Sequence, residues 1–212
     1  MTHAITHHLS DDLIEAYVTG TLGHGFSIAV ASHLSLCPAC RKKQAAMAAV
    51  GGLALEDQVR EAPVPAGLKS KVMADLDAAD AQPIFVSRGP YPAPVMAALE
   101  GRKLRHDGKA RGIRQQVIYR DGASTARLLY IPPGKAVPDH GHHGLEMTLV
   151  LQGSFSDASG HFGVGDVEVA DATVEHTPVA GPSETCICLA VTDAKLKFDG
   201  LAARVLQPLL GI

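Results

Sequence analysis

The sequence predicts a two-domain α + β protein: a small helical bundle over residues 1–80, a proline-rich linker over 81–95, and a small β-barrel or sandwich over 96–212. Three observations carry this. The first eighty residues are rich in Ala and Leu at helical spacing. Residues 81–95 hold Pro83, Gly89, Pro90, Pro92 and Pro94, the composition of an extended connector. Beyond them, short apolar runs alternate with turn residues, the texture of strands. A chain of 212 residues that is 46% hydrophobic can bury a sizeable core. With aromatics at 4% and no Trp, that core is mainly aliphatic.

The first helix is announced by Ser10 before Asp11 and Asp12, an N-cap followed by an acidic first turn. Leu13, Ile14, Tyr17 and Val18 then share one face, and Gly20, Gly23 and Gly25 close the element. A second helix is predicted over 26–36. Pro38 suits the first position of a third, with Cys37 as its cap-like predecessor. That helix runs toward Arg60 and is weakened at Gly51 and Gly52. Pro63 and Pro65 break the chain, and Leu68, Val72, Leu76 and Ala79 mark a fourth helix. In the second half the clearest strands are 114–119, 126–131, 145–151, 167–170 and 186–191. The apolar tail, 201–212, is expected to pack back on the β-domain.

Charge narrows the function classes. Residues 1–80 carry 6 Lys/Arg and 9 Asp/Glu, whereas 81–212 carry 13 of each. An acidic helical module is a poor ligand for phosphates and suits a basic protein partner, so no direct nucleic-acid contact is expected. No apolar stretch approaches the ~20 residues of a membrane helix, and no secretory signal is read at the N-terminus. The expectation is a cytoplasmic protein without membrane contact. In a reducing cytosol its four cysteines serve as metal ligands, redox groups or buried apolar residues rather than disulfides.

The 11 histidines cluster, and two clusters have ligand spacing. The first is His33-x3-Cys37-x2-Cys40, whose spacings put all three on one helical face. Cys37 at a helix start is expected to be biased toward thiolate, the form that binds zinc. Tetrahedral structural zinc needs a fourth ligand. His8 supplies it, with His7 as the rival. A small module with a thin core gains much from such a staple. The competing reading of Cys37 and Cys40 is a redox pair, but the βαβ context of such a pair is missing. His3 and His24 read as solvated.

The second cluster is Gly134-x5-His140-x-His142-x3-Glu146-x6-Gly153, with His176 downstream. His140, His142 and Glu146 share parity, so a continuous strand sends them to one side, with Thr148 and Val150 following. His143 has the opposite parity. Three imidazoles and a carboxylate suit Zn, Fe, Mn or Ni. The competing reading is a hydrogen-bonded core network. His106 and His161 lack partners, and Cys186 and Cys188, two apart on a strand, read as a pair of small buried residues.

The spacing of the second cluster resembles the cupin motif G-x5-H-x-H-x3-E-x6-G at every step. The resemblance implies a cupin-like β-barrel or jelly roll with His140, His142, Glu146 and His176 as metal ligands. The second cupin motif departs from its usual form: residues 162–166 lack the Pro, and Ala180 stands where Asn is common. The first cluster, with its upstream His, resembles the zinc-binding anti-sigma domain of bacteria. Together and in this order, the two halves resemble the ChrR family of anti-sigma factors. The likeness runs through the wording of residues 7–11, 31–37, 137–142, 144–146, 149–153, 175–178 and 186–190.

That resemblance implies a regulator rather than an enzyme. The zinc-stapled helical module would bind and inhibit a group IV, extracytoplasmic-function RNA polymerase sigma factor. The cupin-like domain, with zinc in its own site, would be needed for release in response to singlet oxygen or organic hydroperoxides. Tyr17, Leu68, Val72 and Leu76 are contact candidates, and each is equally a core candidate. Two other classes are open at this point: a metal-dependent cupin dioxygenase or isomerase with the helices as an oligomerisation arm, and a DNA-binding zinc protein, which the acidic module disfavours.

Overall fold

The computed structural model describes residues 4–60, 63–78, 83–105, 107–110, 112–122, 124–137, 140–142, 144–171, 173, 175–193 and 196–197. The apolar tail at 201–212, together with Ala79, His3, His106 and His143, lies outside them.

Among the described residues, four helices form in the first part of the chain: α1 (Asp11–Val18), α2 (His24–Leu36), α3 (Pro38–Gln58) and α4 (Leu68–Ala78). Ser10 caps α1 as its sequence predicts, its hydroxyl accepting the Leu13 N–H. The helix α2 starts at His24, two residues before the expected Phe26. It is buried on nearly every side, which fits a helix whose apolar residues follow no single stripe. Ser32, its buried hydroxyl, bonds back to the Ile28 carbonyl at 2.7 Å. The helix α3 runs unbroken through Gly51 and Gly52, where an added Cβ would meet nothing within 4 Å.

A fifth helix, α5 (Ala93–Leu99), begins inside the proline-rich segment. Pro92 precedes it and Pro94 occupies its first turn, where a missing N–H costs nothing. Val95 and Leu99 are fully buried, and α5 packs against α2.

The β-domain contains β1 (Asp107–Ala110), β2 (Ile113–Asp121), β3 (Ser124–Ile131), β4 (His140–His142), β5 (Glu146–Gln152), β6 (Ser154–Ser156), β7 (His161–Gly163), β8 (Val167–Ala170), β9 (Glu175–His176), β10 (Val179–Ala180), β11 (Cys186–Thr192) and β12 (Leu196–Lys197). A six-stranded sheet has the order β1-β2-β3-β11-β5-β8, and two three-stranded sheets run β10-β6-β7 and β12-β4-β9. All pairings among the described residues are antiparallel. Among the described residues the sheets do not join into a closed barrel; the domain is a cupin-like jelly roll rather than a continuous ring.

Parity sorts the large sheet into two buried faces. Val150, Cys186 and Cys188 enter a cluster with Ile131, Phe155, Phe162 and Ala180 inside the jelly roll. Met147, Leu149, Leu151, Leu189 and Val191 point the other way and pack with Phe26, Ile28, Val30 and Leu34 of the helical module. Helix α2 is therefore a lid on the outer face of the sheet, and one apolar cluster spans both halves of the chain. This explains why β11 is buried at every position, whereas a sheet with one wet face would alternate.

Candidate metal centres

The first cluster assembles at the junction of α2 and α3, which only Cys37 separates. Its N–H closes α2 by donating to the His33 carbonyl at 2.8 Å. Its extended backbone then opens α3, with its sulfur accepting the Cys40 N–H at 3.5 Å. Pro38 follows at the first helical position, where its fixed φ fits. Arg41 reaches back to the Leu34 carbonyl, 2.6 Å away, satisfying one of the end carbonyls of α2. Thus the last turn of α2 presents His33, and the cap and first turn of α3 present Cys37 and Cys40.

The extended N-terminal segment lays His8 over these three. Its Nδ1 is 3.3 Å from Cys37 Sγ and 3.7 Å from Cys40 Sγ. Ligand atoms of His8, His33, Cys37 and Cys40 all lie within 4.8 Å of one another. Tetrahedral zinc with two nitrogen and two sulfur ligands holds them about 3.3–3.8 Å apart, so the set needs little adjustment to receive the ion. His33 gives a second test of fit. It is fully buried, and its Nδ1 faces the Gly165 carbonyl at 2.9 Å. A carbonyl can only accept, so Nδ1 carries the proton and Nε2 bears the bare lone pair. That Nε2 is buried and, among the described residues, has no hydrogen-bond partner. An orphaned lone pair in this position costs stability unless something electropositive meets it.

His7, the rival ligand, is turned elsewhere: its ring lies 4.3 Å from that of Phe162, and its Nδ1 is 3.7 Å from Asp166. At Cys40 the thiol is pushed up by burial and by the neighbouring Cys37. Burial also depresses His33, helped by the nearby His8, against an opposing pull from the Gly165 carbonyl and Asp166. Both shifts favour the neutral form of the group.

The second cluster is built by short strands. Antiparallel pairing of β4 with β9 sets His140 opposite His176, and His142 lies two residues along β4. Glu146 opens β5, is buried, and accepts the Thr148 hydroxyl at 3.1 Å. Its charge reaches His176 and helps to favour the protonated ring.

Two carboxylates here escaped the sequence reading. His176 Nδ1 lies 2.9 Å from Asp157 and 3.3 Å from Glu168, and the three offer ligand atoms within 4.8 Å of one another. Burial alone would depress His176, but Glu168 and Asp157 overcome it and hold the ring at about 9. Burial pushes Glu168 up. Against the same burial, bonds from Glu168, Ser159 and His176 draw Asp157 down to about 2. Glu168 was hidden by its context: Val-Glu-Val-Ala suggests both valines inside, yet Glu168 is buried and Val169 is exposed.

Of the remaining polar candidates, His161 bonds Ser156 at the surface and His24 packs near Tyr119. Cys186 and Cys188 are buried thiols with sulfurs 3.5 Å apart, consistent with the reading of small interior residues.

Residues 98–195 match the family described as the ChrR cupin-like domain. The chain is 47% identical over 212 residues to the anti-sigma-E factor ChrR of Cereibacter sphaeroides, covering 98% of this chain and 99% of that protein. A crystal structure of Rhodobacter sphaeroides SigE in complex with the anti-sigma ChrR is similar with a TM-score of 0.76, at 47% identity, over 89% of this chain and 99% of that one. The paired cysteines at the α2–α3 junction, the jelly roll behind them and likeness along nearly the whole length agree: the chain belongs to the ChrR family of anti-sigma factors.

Proposed function

We propose that this chain is a cytoplasmic anti-sigma factor that binds an extracytoplasmic-function RNA polymerase sigma factor through its helical module and keeps it from polymerase. The observation that carries this is a set of uncovered apolar side chains on α3 and α4. Leu68, Val72, Met73 and Leu76 of α4, and Val50, Leu53 and Leu55 of α3, are exposed. Seven large apolar residues left exposed on two helices of one module call for a partner. A relative of known structure, 47% identical, was crystallised in complex with SigE. Among the described residues, no helix is long and apolar enough to cross a membrane.

Zinc held by His8, His33, Cys37 and Cys40 ties the N-terminal segment to the α2–α3 junction and so fixes the base from which α3 and α4 project. His140, His142, Glu146 and His176 are the proposed ligands of a second ion in the jelly roll, where zinc is the expected occupant and the donors equally suit Fe, Mn or Ni. The β-domain answers singlet oxygen or organic hydroperoxides and sets the sigma factor free.

The test is co-purification and run-off transcription with the sigma factor encoded beside this chain. The wild-type protein forms a stable complex and suppresses transcription. Cys37→Ala and Cys40→Ala each lose zinc from the helical module together with inhibition. Full inhibition by a variant lacking zinc at this site sinks the proposed link between metal and grip.

A further inference from the structure

Two of the four ligands in the first cluster are held in place by the other half of the molecule. On one side, the Gly165 carbonyl accepts a hydrogen bond from His33 Nδ1–H. On the other, Asp166 Oδ1 accepts the backbone N–H groups of Thr6 at 2.7 Å and His7 at 2.8 Å, the two residues before His8. The Val167 N–H completes the strap by donating to the His7 carbonyl at 3.3 Å. Gly165 and Asp166 form the turn between β7 and β8, more than a hundred residues away in sequence.

The turn is rigid from below. Asp166 is fully buried, and its Oδ2 accepts the Gly163 N–H at 2.8 Å, so the carboxylate cannot swing away from the strap. Gly165 N–H donates to the Val150 carbonyl of β5 at 2.9 Å. Gly165 also sits at φ +91, and a Cβ there would come within 2.5 Å of the Ile5 side chain. Only glycine gives both this backbone and this closeness. Two residues past Asp166 the chain enters the second cluster at Glu168.

We propose that Asp166 and the Gly165 carbonyl are the outer support of the His8/His33/Cys37/Cys40 metal site, so that movement of the β7–β8 turn loosens two of its four ligands. The inference rests on the zinc reading given above and deepens it, since it names the route by which the β-domain reaches the helical clamp. Metal-bound imidazoles are oriented by whatever accepts their second N–H, and loss of such a partner typically weakens metal binding about 10–100-fold. Here that partner belongs to the sensing domain. Asp166 touches no metal; it is a positioning residue, acting through the backbone that carries His8.

The test uses the full chain loaded with cobalt(II). Its sulfur-to-cobalt charge-transfer absorption reports the Cys37/Cys40 site and not a site built from imidazole and carboxylate. A competing chelator is added and the decay of this band is followed. Asp166→Ala removes the acceptor, and Thr6→Pro removes one donor while leaving the β-domain sequence intact. Thr6→Ala keeps the backbone N–H and serves as the control. We expect Asp166→Ala and Thr6→Pro to lose the band about 10–100-fold faster than the wild type, and Thr6→Ala to match the wild type. Should Asp166→Ala fail to fold, Thr6→Pro decides. Wild-type retention in a folded Thr6→Pro chain, judged by far-ultraviolet circular dichroism, overturns the proposal. A wild-type chain without the band, or a Cys37→Ala variant that keeps it unchanged, instead removes the metal site itself and the support with it.

Discussion

At the scale of single residues, two ligands of the first cluster, Cys40 and His33, are biased toward their neutral forms. Burial raises the Cys40 thiol and lowers the His33 imidazole. Zinc at the proposed site would therefore displace a proton from Cys40, and acid would oppose its binding. The sign for His33 follows from linkage. Its folded-state pKa lies below the unfolded value, so as pH falls below about 6.5 the unfolded chain takes up a proton that the folded chain refuses, and stability drops. Both effects point the same way. Zinc retention is expected to fall as pH is lowered from 7.5 to 5.5, by about tenfold per pH unit for each thiol that must lose its proton. Competition with a chelator at stepped pH measures this, and retention that is flat or rises toward acid contradicts it. The sequence favours His8 over His7 as the fourth ligand, but it does not show the physical cause, because both stand before the same helix cap. What separates them is Asp166, which grips the His7 backbone and leaves His8 to face the thiols. That partner is 159 residues away, beyond the reach of any local pattern.

At the scale of elements, the long helices and strands were legible because each carries enough apolar residues to reveal its period. The strand 167–170 is reproduced to the residue, and 186–191 falls one residue short of β11. Elements of two or three residues, such as β4, β6, β9 and β10, carry no period at all and exist only through their partners across the sheet. Whether an apolar face is core or contact surface was also illegible, and the structure separates the cases. Leu189 on β11 has no exposure, whereas Leu76 on α4 is 64% exposed. Leu189→Ala should therefore destabilise the fold by about 2–5 kcal/mol, the usual cost of emptying a buried leucine site. Leu76→Ser should change stability by only about 0.5 kcal/mol yet weaken capture of the sigma factor at least tenfold. Urea unfolding and a titration with the labelled partner read the two effects separately. A Leu76→Ser chain that binds normally would move the contact surface off α4.

At the scale of the whole molecule, the sheet and the helical module share one apolar cluster, so the docked arrangement is part of the fold rather than a loose tether. Gly25, in the first turn of α2, shows how close the approach is. A Cβ at this position would come within 2.5 Å of the Ser124 hydroxyl and 3.2 Å of a Val191 methyl. The Ser124 hydroxyl can rotate aside, but Val191 is fully buried in the sheet and cannot. Gly25→Val should thus act as a wedge that lifts the start of α2 from β3 and β11. The expected result is a larger radius of gyration in solution scattering and faster proteolysis between residues 83 and 92. Cobalt should leave the thiolate site faster as well, because the lifted module pulls His33 from Gly165. Gly52→Ala, where an added methyl meets open space, controls for the loss of a glycine and should be neutral or stabilise α3 by about 0.5–1 kcal/mol. If Gly25→Val stays compact and resists protease like the wild type, the two halves are not coupled through this face. The β-domain would then have to reach the helical clamp by the Asp166 strap alone.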